Sequence, residues 1–439
     1  MSHTHTSCMI FLGTLMLVVS CAESPSPPLS STSEVKVFAG GSQTCAVLEK
    51  HSLRCWGRNE HGQLGVALKE TILGDDEPAS AVPLLDLGSP ISAVAPQSII
   101  ACLLHDQGDV RCWGRGGVGA LGFMWDGELG DDETLLGAMP LRFGDIGITQ
   151  IAVGLSHACA LDVAGAVKCW GHGQYGATGY ASTENLGDDP GEEPIDLPPI
   201  DLGGRAKFIS AGAHSSCAIM MDGSLRCWGF NAFGKLGLGL GRDAEGQTIH
   251  IGDDESPASV DPVKLSGGPV TMVAGQGRQV CALHEGGTVS CWGETGPWLG
   301  YGKMMDEFGP GIGDDEQPSA LGLVDVGGVV VELTVGDAFT CVRLEDGAVK
   351  CWGASNYGQL GYGNTNYVGY LERPSEVGSV ALGRPAIALV SGYNHTCALL
   401  DNFDLLCWGR AASGSLGYGN TNNIGDDETP LQAGPVPFR

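Results

Sequence analysis

The 439-residue sequence is poor in positive charge, with 23 lysine and arginine residues against 51 aspartate and glutamate residues. The net charge of −28 leaves no excess of cations to neutralise phosphate groups. Proteins that bind nucleic acids or anionic membrane surfaces need such a basic face. The composition therefore argues against both kinds of partner, whereas cationic proteins and metal ions stay open.

Helical periodicity is absent after the first twenty residues, while 70 glycines and 23 prolines interrupt the chain. This pattern predicts an all-β protein. Catalytic signatures are lacking as well. The eleven histidines have no recurrent partner, and the glycine-rich stretches lack the lysine of a phosphate-binding loop. We therefore predict that the protein is not an enzyme.

Residues 1–21 resemble an export signal. Met9 to Ser20 is an apolar run with the length of a signal-peptide core, too short to span a membrane comfortably. Residues 18–21, Val-Val-Ser-Cys, are similar to a bacterial lipobox, in which the cysteine receives a lipid and becomes the N-terminus after cleavage. We predict lipid attachment at Cys21, with residues 22–34 as a Ser/Pro-rich tether. The alternative is an ordinary cleaved signal.

The predicted signal also implies a location. We expect the protein in the cell envelope, lipid-anchored to the outer membrane or the cell surface, or else secreted. Its contact with a membrane would be through the lipid anchor only.

Apart from Cys8 in the signal and Cys21, the sequence has fourteen cysteines, which form seven pairs with a constant spacing of ten residues. Trp-Gly follows each pair. The pairs are Cys45 with Cys55, Cys102 with Cys112, Cys159 with Cys169, Cys217 with Cys227, Cys281 with Cys291, Cys341 with Cys351, and Cys397 with Cys407. Between Cys341 and Cys351 the sequence reads as a β-hairpin whose three-residue loop ends in Gly347, a residue suited to the left-handed position of the turn.

Residues opposite each other in a hairpin have Cα atoms about 4.5 to 5.5 Å apart, which a disulfide can bridge. We therefore predict seven disulfides, one in each hairpin. Reduced buried thiols are the alternative. Zinc sites are disfavoured because a fixed gap on a hairpin is not the spacing of a zinc knuckle.

Each repeat, 56 to 64 residues long, adds an opening strand before the hairpin and a closing strand after a proline, such as residues 263–265. Four short strands in each of seven repeats predict a seven-bladed β-propeller over residues 35–439. Residues 435–438 have no repeat after them. We predict that this segment completes the first blade and closes the ring.

Three segments carry a family resemblance: 392–399 (GYNHTCAL), 351–353 (CWG) and 356–361 (NYGQLG). They resemble the repeat of the regulator of chromosome condensation family, and the resemblance covers residues 35–439. It implies a propeller of repeats of this type, in which His157 and His395 occupy a structural histidine position. The paired cysteines depart from the cytosolic members and suit an exported branch.

The same resemblance implies more than one function. We predict an exported, non-catalytic scaffold, a monomer that recognises an unknown and possibly cationic protein, because a propeller is a scaffold and disulfides persist in oxidising compartments. The alternative is a guanine nucleotide exchange factor, the activity of the founding member of the family. A third hypothesis is a hydrolase on the propeller face.

Acidic turns recur near the end of most repeats. They are Asp75-Asp76-Glu77, Asp131-Asp132-Glu133, Asp253-Asp254-Glu255, Asp314-Asp315-Glu316 and Asp426-Asp427-Glu428, with Asp188-Asp189 as a shorter form. The favoured interpretation is that these side chains bond their own backbone and keep the blade edges soluble. Calcium binding is the alternative. We predict no other metal or cofactor.

Bulky apolar residues stand in three of the loops that precede the acidic turns: Phe123-Met124-Trp125, Trp298, and Met304-Met305 with Phe308. As aromatic anchors beside a negative rim they would suit a cationic partner. The candidate binding residues are Trp125, Trp298, Asp131, Asp132, Asp253, Asp254, Asp314 and Asp315. The alternative is that the loops fold back over the blade edges.

Overall fold

The computed structural model describes residues 35–302 and 309–439. In these ranges the chain forms seven antiparallel sheets, one for each predicted repeat, which we number as blades one to seven. Several predicted features lie outside the described residues: the signal peptide, Cys21, the tether, Met304, Met305 and Phe308. Of the helices in the described part of the chain, none combines the length and apolar character needed to cross a membrane.

Each blade has three longer strands that follow one another in sequence and pair with their neighbours. Blade one contains β1 (Lys36–Gly40), β2 (Gln43–Leu48) and β3 (Ser52–Arg58), and blade two contains β6 (Ile91–Pro96), β7 (Ile100–His105) and β8 (Val110–Arg115). Blade three contains β10 (Ile148–Val153), β11 (His157–Asp162) and β12 (Val167–Gly171), and blade four contains β13 (Ala206–Ala211), β14 (Ser215–Met220) and β15 (Leu225–Gly229). Blade five contains β16 (Val270–Gly275), β17 (Gln279–His284) and β18 (Val289–Glu294). Blade six contains β20 (Val330–Val335), β21 (Phe339–Leu344) and β22 (Val349–Gly353), and blade seven contains β23 (Ala386–Ser391), β24 (His395–Leu400) and β25 (Leu405–Gly409).

The outer edges of the blades are made of shorter elements. The short strands are β4 (Ile72–Leu73), β5 (Leu85–Asp86), β9 (Glu128–Leu129) and β19 (Gly311–Ile312). Short 3-10 segments lie at Ala79–Ala81, Gly117–Gly119, Leu135–Gly137, Gln174–Gly176, Ala232–Gly234, Pro257–Ser259, Pro297–Leu299, Pro318–Ala320 and Pro374–Glu376. The α-helix α1 spans Pro430–Ala433.

The hairpins have the predicted register. Cys341 lies opposite Cys351 on the paired strands β21 and β22. The Leu344 N–H donates to the Ala348 carbonyl, which leaves a three-residue loop. Gly347 occupies the left-handed position of this loop with φ 82°. A backbone hydrogen bond between the two residues that flank the loop therefore closes it.

All seven predicted cysteine pairs are disulfide-bonded, one in the hairpin of each blade. The bonds join Cys45 and Cys55, Cys102 and Cys112, Cys159 and Cys169, Cys217 and Cys227, Cys281 and Cys291, Cys341 and Cys351, and Cys397 and Cys407. The two Cα atoms of each pair are 4.0 to 4.1 Å apart. This separation is smaller than the one expected from an average strand pair, so each bridge lies where the two strands approach closely.

The predicted fourth strand is divided into two pieces. In blade one, Ile72 and Leu73 pair with the end of β3, whereas Leu85 and Asp86 pair with its beginning. The chain between these pieces leaves the sheet and contains the acidic turn. The acidic turns therefore lie at the outer edges of the blades, where the chain is free to reach a neighbouring blade.

The prediction that residues 435–438 complete the first blade is wrong. The Val436 N–H donates to the Leu405 carbonyl at 2.8 Å, within blade seven. Val263 makes the equivalent bond to Leu225 within blade four, at 2.8 Å. Each closing segment folds back on the third strand of its own repeat, so blade one lacks no strand.

Blades seven and one meet through contacts that need no exchanged strand. The Tyr393 N–H donates to the Gly41 carbonyl at 2.7 Å, and the Ser80 N–H donates to the Pro437 carbonyl at 2.7 Å. The Arg54 guanidinium donates to the Phe438 carbonyl at 2.8 Å. The C-terminal segment thus bridges the two blades while remaining part of blade seven.

The seven tryptophans that follow the second cysteine of each pair pack between blades. All have a side chain with no exposed surface. Six indole N–H groups donate to a carbonyl of the preceding repeat: Trp56 to Ser415, Trp113 to Gln63, Trp228 to Ala177, Trp292 to Lys235, Trp352 to Trp298 and Trp408 to Gln359. These residues therefore join neighbouring blades, as expected for packing residues.

The first strands of six blades, with Gln276 directly after β16 of blade five, surround a cavity of about 220 Å³. Its lining mixes apolar side chains such as Val94, Val153 and Leu389 with polar groups. Gln97, which replaces the usual turn in the second repeat, donates through Nε2 to Oε1 of Gln276 at 3.4 Å. This bond joins blades two and five across the axis of the propeller.

Candidate functional site

The two histidines at the structural position are core residues. The Nε2 atom of His157 is 2.8 Å from the Ser216 hydroxyl, and Nε2 of His395 is 2.9 Å from the Thr44 hydroxyl. Burial lowers the pKa of His157 to about 3 and that of His395 to about 4. Both imidazoles are therefore neutral at pH 7 and act as hydrogen-bonding links between blades.

Each complete acidic turn lies next to a glycine turn of the preceding repeat. The Ala67 N–H of blade one donates to the Gly130 carbonyl before Asp131, at 3.2 Å. The Gly239 N–H of blade four donates to the Gly313 carbonyl before Asp314, at 2.9 Å. The acidic turns thus occupy equivalent positions at the junctions between blades.

The acidic side chains take part in the structure of their own turns. The Gly74 N–H donates to Glu77 at 2.9 Å, and the Gly313 N–H donates to Glu316 at 3.3 Å. In all five triplets the middle residue is exposed and the outer two are half-buried. These bonds agree with the turn interpretation of the triplets, because the glutamate satisfies a backbone donor.

The glutamate that ends an acidic turn has an unusually high pKa. Burial, together with a hydrogen bond that the protonated Glu428 carboxyl donates to Asp427, raises the pKa of Glu428 from 4.5 to about 7. The same causes raise the pKa values of Glu255 and Glu316 to about 7. One oxygen of Glu428 is buried without a hydrogen-bond partner among the described residues, so the ionised form is poorly solvated.

This raised pKa predicts a pH-dependent effect of Glu428→Gln on stability. Between pH 4.5 and about 7 the folded protein binds more protons at Glu428 than the unfolded chain, so stability falls as pH rises through this window. The neutral glutamine should therefore raise the melting temperature at pH 8 and change it little at pH 5. Thermal melts of variant and wild type at both pH values measure the difference.

The control for this experiment is Glu345→Gln, which alters an exposed glutamate in a hairpin loop. It should shift the melting temperature equally at both pH values. A Glu428→Gln variant that behaves in the same way would contradict the raised pKa.

The two candidate tryptophans have different surroundings. Trp125 is 46% exposed and its neighbour Met124 is 61% exposed. Trp298 instead folds back, because its indole N–H donates to the Glu294 carbonyl at 2.6 Å and the Arg278 guanidinium lies 5.1 Å from its ring centre. Trp298 thus packs within its own blade, as the alternative of a folded-back loop predicts. The Trp125 indole N–H also donates to a nearby carbonyl, that of Glu128, at 3.4 Å, but its side chain stays exposed, six residues before Asp131.

This difference predicts opposite outcomes for the two alanine variants. Trp298→Ala should lower the free energy of unfolding by about 2 kcal/mol, because a half-buried aromatic side chain loses its contacts. Trp125→Ala, its matched control, should change that free energy by less than about 0.5 kcal/mol. Chemical denaturation measures both values. Equal destabilisation by the two changes would contradict these placements.

Sequence reasoning missed the residue that directly follows each Trp-Gly pair. In blades seven, one and two this residue is an exposed arginine: Arg410, Arg58 and Arg115. In blades three and four it is His172 and Phe230. An alignment of the seven repeats would have shown that this position is basic in blades seven, one and two and aromatic in blades three and four. We call these two groups of neighbouring blades the basic arc and the aromatic arc.

The aromatic arc forms one cluster. The ring centres of Tyr175 and Phe230 are 4.7 Å apart, and those of Phe230 and His250 are 5.5 Å apart. His214 lies 5.9 Å from Tyr175. Burial lowers the pKa values of His214 and His250, so the cluster is uncharged at pH 7. Tyr175 has a left-handed backbone, φ 62°, which is uncommon for a bulky residue.

A family model described as "Regulator of chromosome condensation (RCC1) repeat" matches the chain. It covers residues 35–63, 148–177, 206–235, 330–359 and 386–415, and a second model with the same description covers 346–399. The matched segments begin at the opening strands and extend into the glycine turns, so they coincide with five of the blades.

Several curated proteins are similar in sequence. The chain is 28% identical over 392 residues to the ultraviolet-B receptor UVR8 of Arabidopsis thaliana, covering 88% of this chain and 79% of that protein. It is 26% identical over 347 residues to the guanine nucleotide exchange factor SRM1 of Saccharomyces cerevisiae, covering 72% and 66%. The match to the human E3 ubiquitin-protein ligase HERC2, 29% identical, spans 84% of this chain but only 7% of that protein.

Solved structures show the same fold. Human WBSCR16 has a TM-score of 0.66 and 20% sequence identity, covering 85% of this chain and 92% of that one. Prp20p of Saccharomyces cerevisiae has a TM-score of 0.61 and 19% identity, covering 82% and 80%. The all-β propeller predicted from the repeats is therefore confirmed.

Proposed function

We propose that this chain, a seven-bladed propeller of regulator of chromosome condensation repeats, is an exported and lipid-anchored scaffold that recognises another protein without catalysing a reaction. The observation that carries export is the pairing of all fourteen cysteines of the propeller in disulfides, one in each blade. Disulfides persist in oxidising compartments and are rare in the cytosol. The lipobox-like segment before Cys21 supplies the anchor.

Recognition is supported by the surface around Trp125. An exposed tryptophan and an exposed methionine precede the acidic turn of blade two, on a protein with a net charge of −28. An aromatic anchor beside carboxylates suits a cationic partner, because the ring supplies contact area and the charges steer the approach. Prp20p of Saccharomyces cerevisiae, which has the same fold, has binding properties towards Gsp1p and histones, so the fold can serve protein recognition.

Guanine nucleotide exchange is the competing function, and the similarity to SRM1 favours it. The two functions require different compartments, since exchange needs a GTPase partner inside the cell. Protease added to intact cells should digest the propeller if it is displayed outside. Labelled fatty acid should enter the wild type and be absent after Cys21→Ala. Full protection of the propeller from protease, together with equal fatty-acid labelling of the wild type and Cys21→Ala, would contradict the proposal and favour guanine nucleotide exchange.

The binding surface needs a separate experiment. The double change Asp131→Asn with Asp132→Asn should weaken capture of an envelope partner by the propeller and reduce the salt dependence of binding, with stability unchanged. Asp75→Asn with Asp76→Asn is the matched control, because it alters the equivalent turn of blade one. Equal capture by the wild type and both variants would reject the surface around Trp125.

A further inference from the structure

A pocket of about 210 Å³ lies between blade seven and blade one, and we name it the seam pocket. Its polar lining comes from both blades: Ser42, Arg58 and Glu60 from blade one, and Asn394, Arg410 and Ser413 from blade seven. Arg58 and Arg410 follow Trp-Gly in their repeats, so the repeat geometry places two equivalent arginines on either side of one pocket.

Arg410 is the less neutralised of the two arginines. No ion pair joins it to a carboxylate in the described residues. Its guanidinium lies 5.1 Å from the ring centre of Tyr357, a cation–π arrangement that orients the planar group. Its backbone N–H donates to the Asn394 carbonyl at 2.8 Å, which anchors the residue at the rim of the pocket.

Arg58 is held by a carboxylate. Its Nη2 donates to Glu60 at 2.5 Å, with 44% and 41% of the two side chains exposed. This hydrogen bond keeps the pKa of Glu60 below its ordinary value, so the glutamate is ionised at pH 7. His395, which also lines the pocket, is neutral for the reason given above. Two guanidiniums and one carboxylate therefore leave the seam pocket with a single positive charge.

The remaining polar groups are suited to an anion. Ser42 and Asn394 line the pocket, and each carries a polar side chain. Both supply donors, and guanidinium groups match the oxygens of carboxylate and phosphate. The local charge is also opposite in sign to the −28 of the whole chain.

We infer that the seam pocket binds an oxyanion, the phosphate or carboxylate group of a small ligand, between Arg410 and Arg58. Glu60 opposes the anion and lowers its affinity, while it holds Arg58 in place. The inference does not depend on the proposed cationic partner, because no residue of an acidic turn lines this pocket.

Isothermal titration of the propeller with inorganic phosphate, at constant ionic strength in chloride, tests the inference. The wild type should bind phosphate, and Arg410→Ala should weaken binding by about tenfold or more, the loss of a charge-assisted hydrogen bond. Glu60→Gln should strengthen binding, because a repulsive charge is removed. Titration with acetate under the same conditions identifies which oxyanion the pocket prefers.

Arg115→Ala is the matched control, since Arg115 occupies the equivalent position in blade two and does not line the seam pocket. It should leave phosphate affinity unchanged. Absence of binding to both phosphate and acetate, an affinity that Arg410→Ala leaves intact, or an equal loss in Arg115→Ala would each overturn the inference. If Arg410→Ala fails to fold, Arg410→Lys and Glu60→Gln still decide it: unchanged affinity in both would overturn the site.

Discussion

Deletion of residues 432–439 should lower the free energy of unfolding by about 5 kcal/mol. The segment contains two fully packed apolar residues, Val436 and Phe438, each 3% exposed, and burial of such side chains contributes about 1.5 to 3 kcal/mol each. It also provides the carbonyls that accept hydrogen bonds from Ser80 and Arg54 of blade one. Chemical denaturation of full-length and truncated propellers measures the loss.

The effect should reside mainly in Phe438. Its ring centre is 6.4 Å from that of Trp56, the buried tryptophan at the junction of blades seven and one. Phe438→Ala should therefore lower the free energy of unfolding by about 3 kcal/mol. Leu431→Ala, directly before the deleted segment and 52% exposed, is the matched control and should cost less than about 1 kcal/mol. An unchanged stability of the truncated protein would show that the tail does not join the blades.

Reduction of the seven disulfides should unfold the propeller under conditions in which the oxidised protein is stable. Each bridge closes a loop of about ten residues, for which chain entropy predicts about 2 to 3 kcal/mol. The contributions are not additive within one cooperative structure. Even a fraction of seven such contributions is comparable with the roughly 5 to 15 kcal/mol by which folded domains are usually stable.

Removal of one disulfide measures how much a single bridge contributes to the free energy of unfolding. Replacing Cys341 and Cys351 with alanine should lower the free energy of unfolding of the oxidised propeller by about 2 kcal/mol. Thiol titration of the denatured, unreduced propeller should first find almost no free thiol among its fourteen cysteines. Finding most of them free would reject the bridges, and with them the main support for export.

Local chemistry made several features predictable from the sequence. The hairpin register follows from the constant cysteine spacing, and a glycine at position 347 is explained by the left-handed turn that it occupies. Phe403 shows the limit of that rule, because it adopts the same turn with φ 64° without being glycine. In the first repeat the positive φ angles move to Glu49 and Lys50, so the turn is built differently where His51 replaces glycine.

The candidate site was less predictable. The acidic turns could be located in the sequence, because their residues are contiguous. The exposure of Trp125 and the partial burial of Trp298 could not be distinguished, because both stand in loops of similar composition. What separates them is the path of each loop: the Trp298 indole folds back onto the Glu294 carbonyl and beneath the Arg278 guanidinium of its own repeat.

Residues within a single repeat were enough to predict the hairpins and the pairing of cysteines, and the count of repeats predicted the number of blades. The strand that Val436 completes and the exposure of Trp125 depend on how the chain folds back within each blade, which the spacing of residues does not reveal. That Arg58 and Arg410 line one pocket depends on the closure of the ring, which brings the first and last repeats together in the tertiary structure. Spacing along the chain carries no information about that contact, since the two arginines are separated by almost the whole propeller.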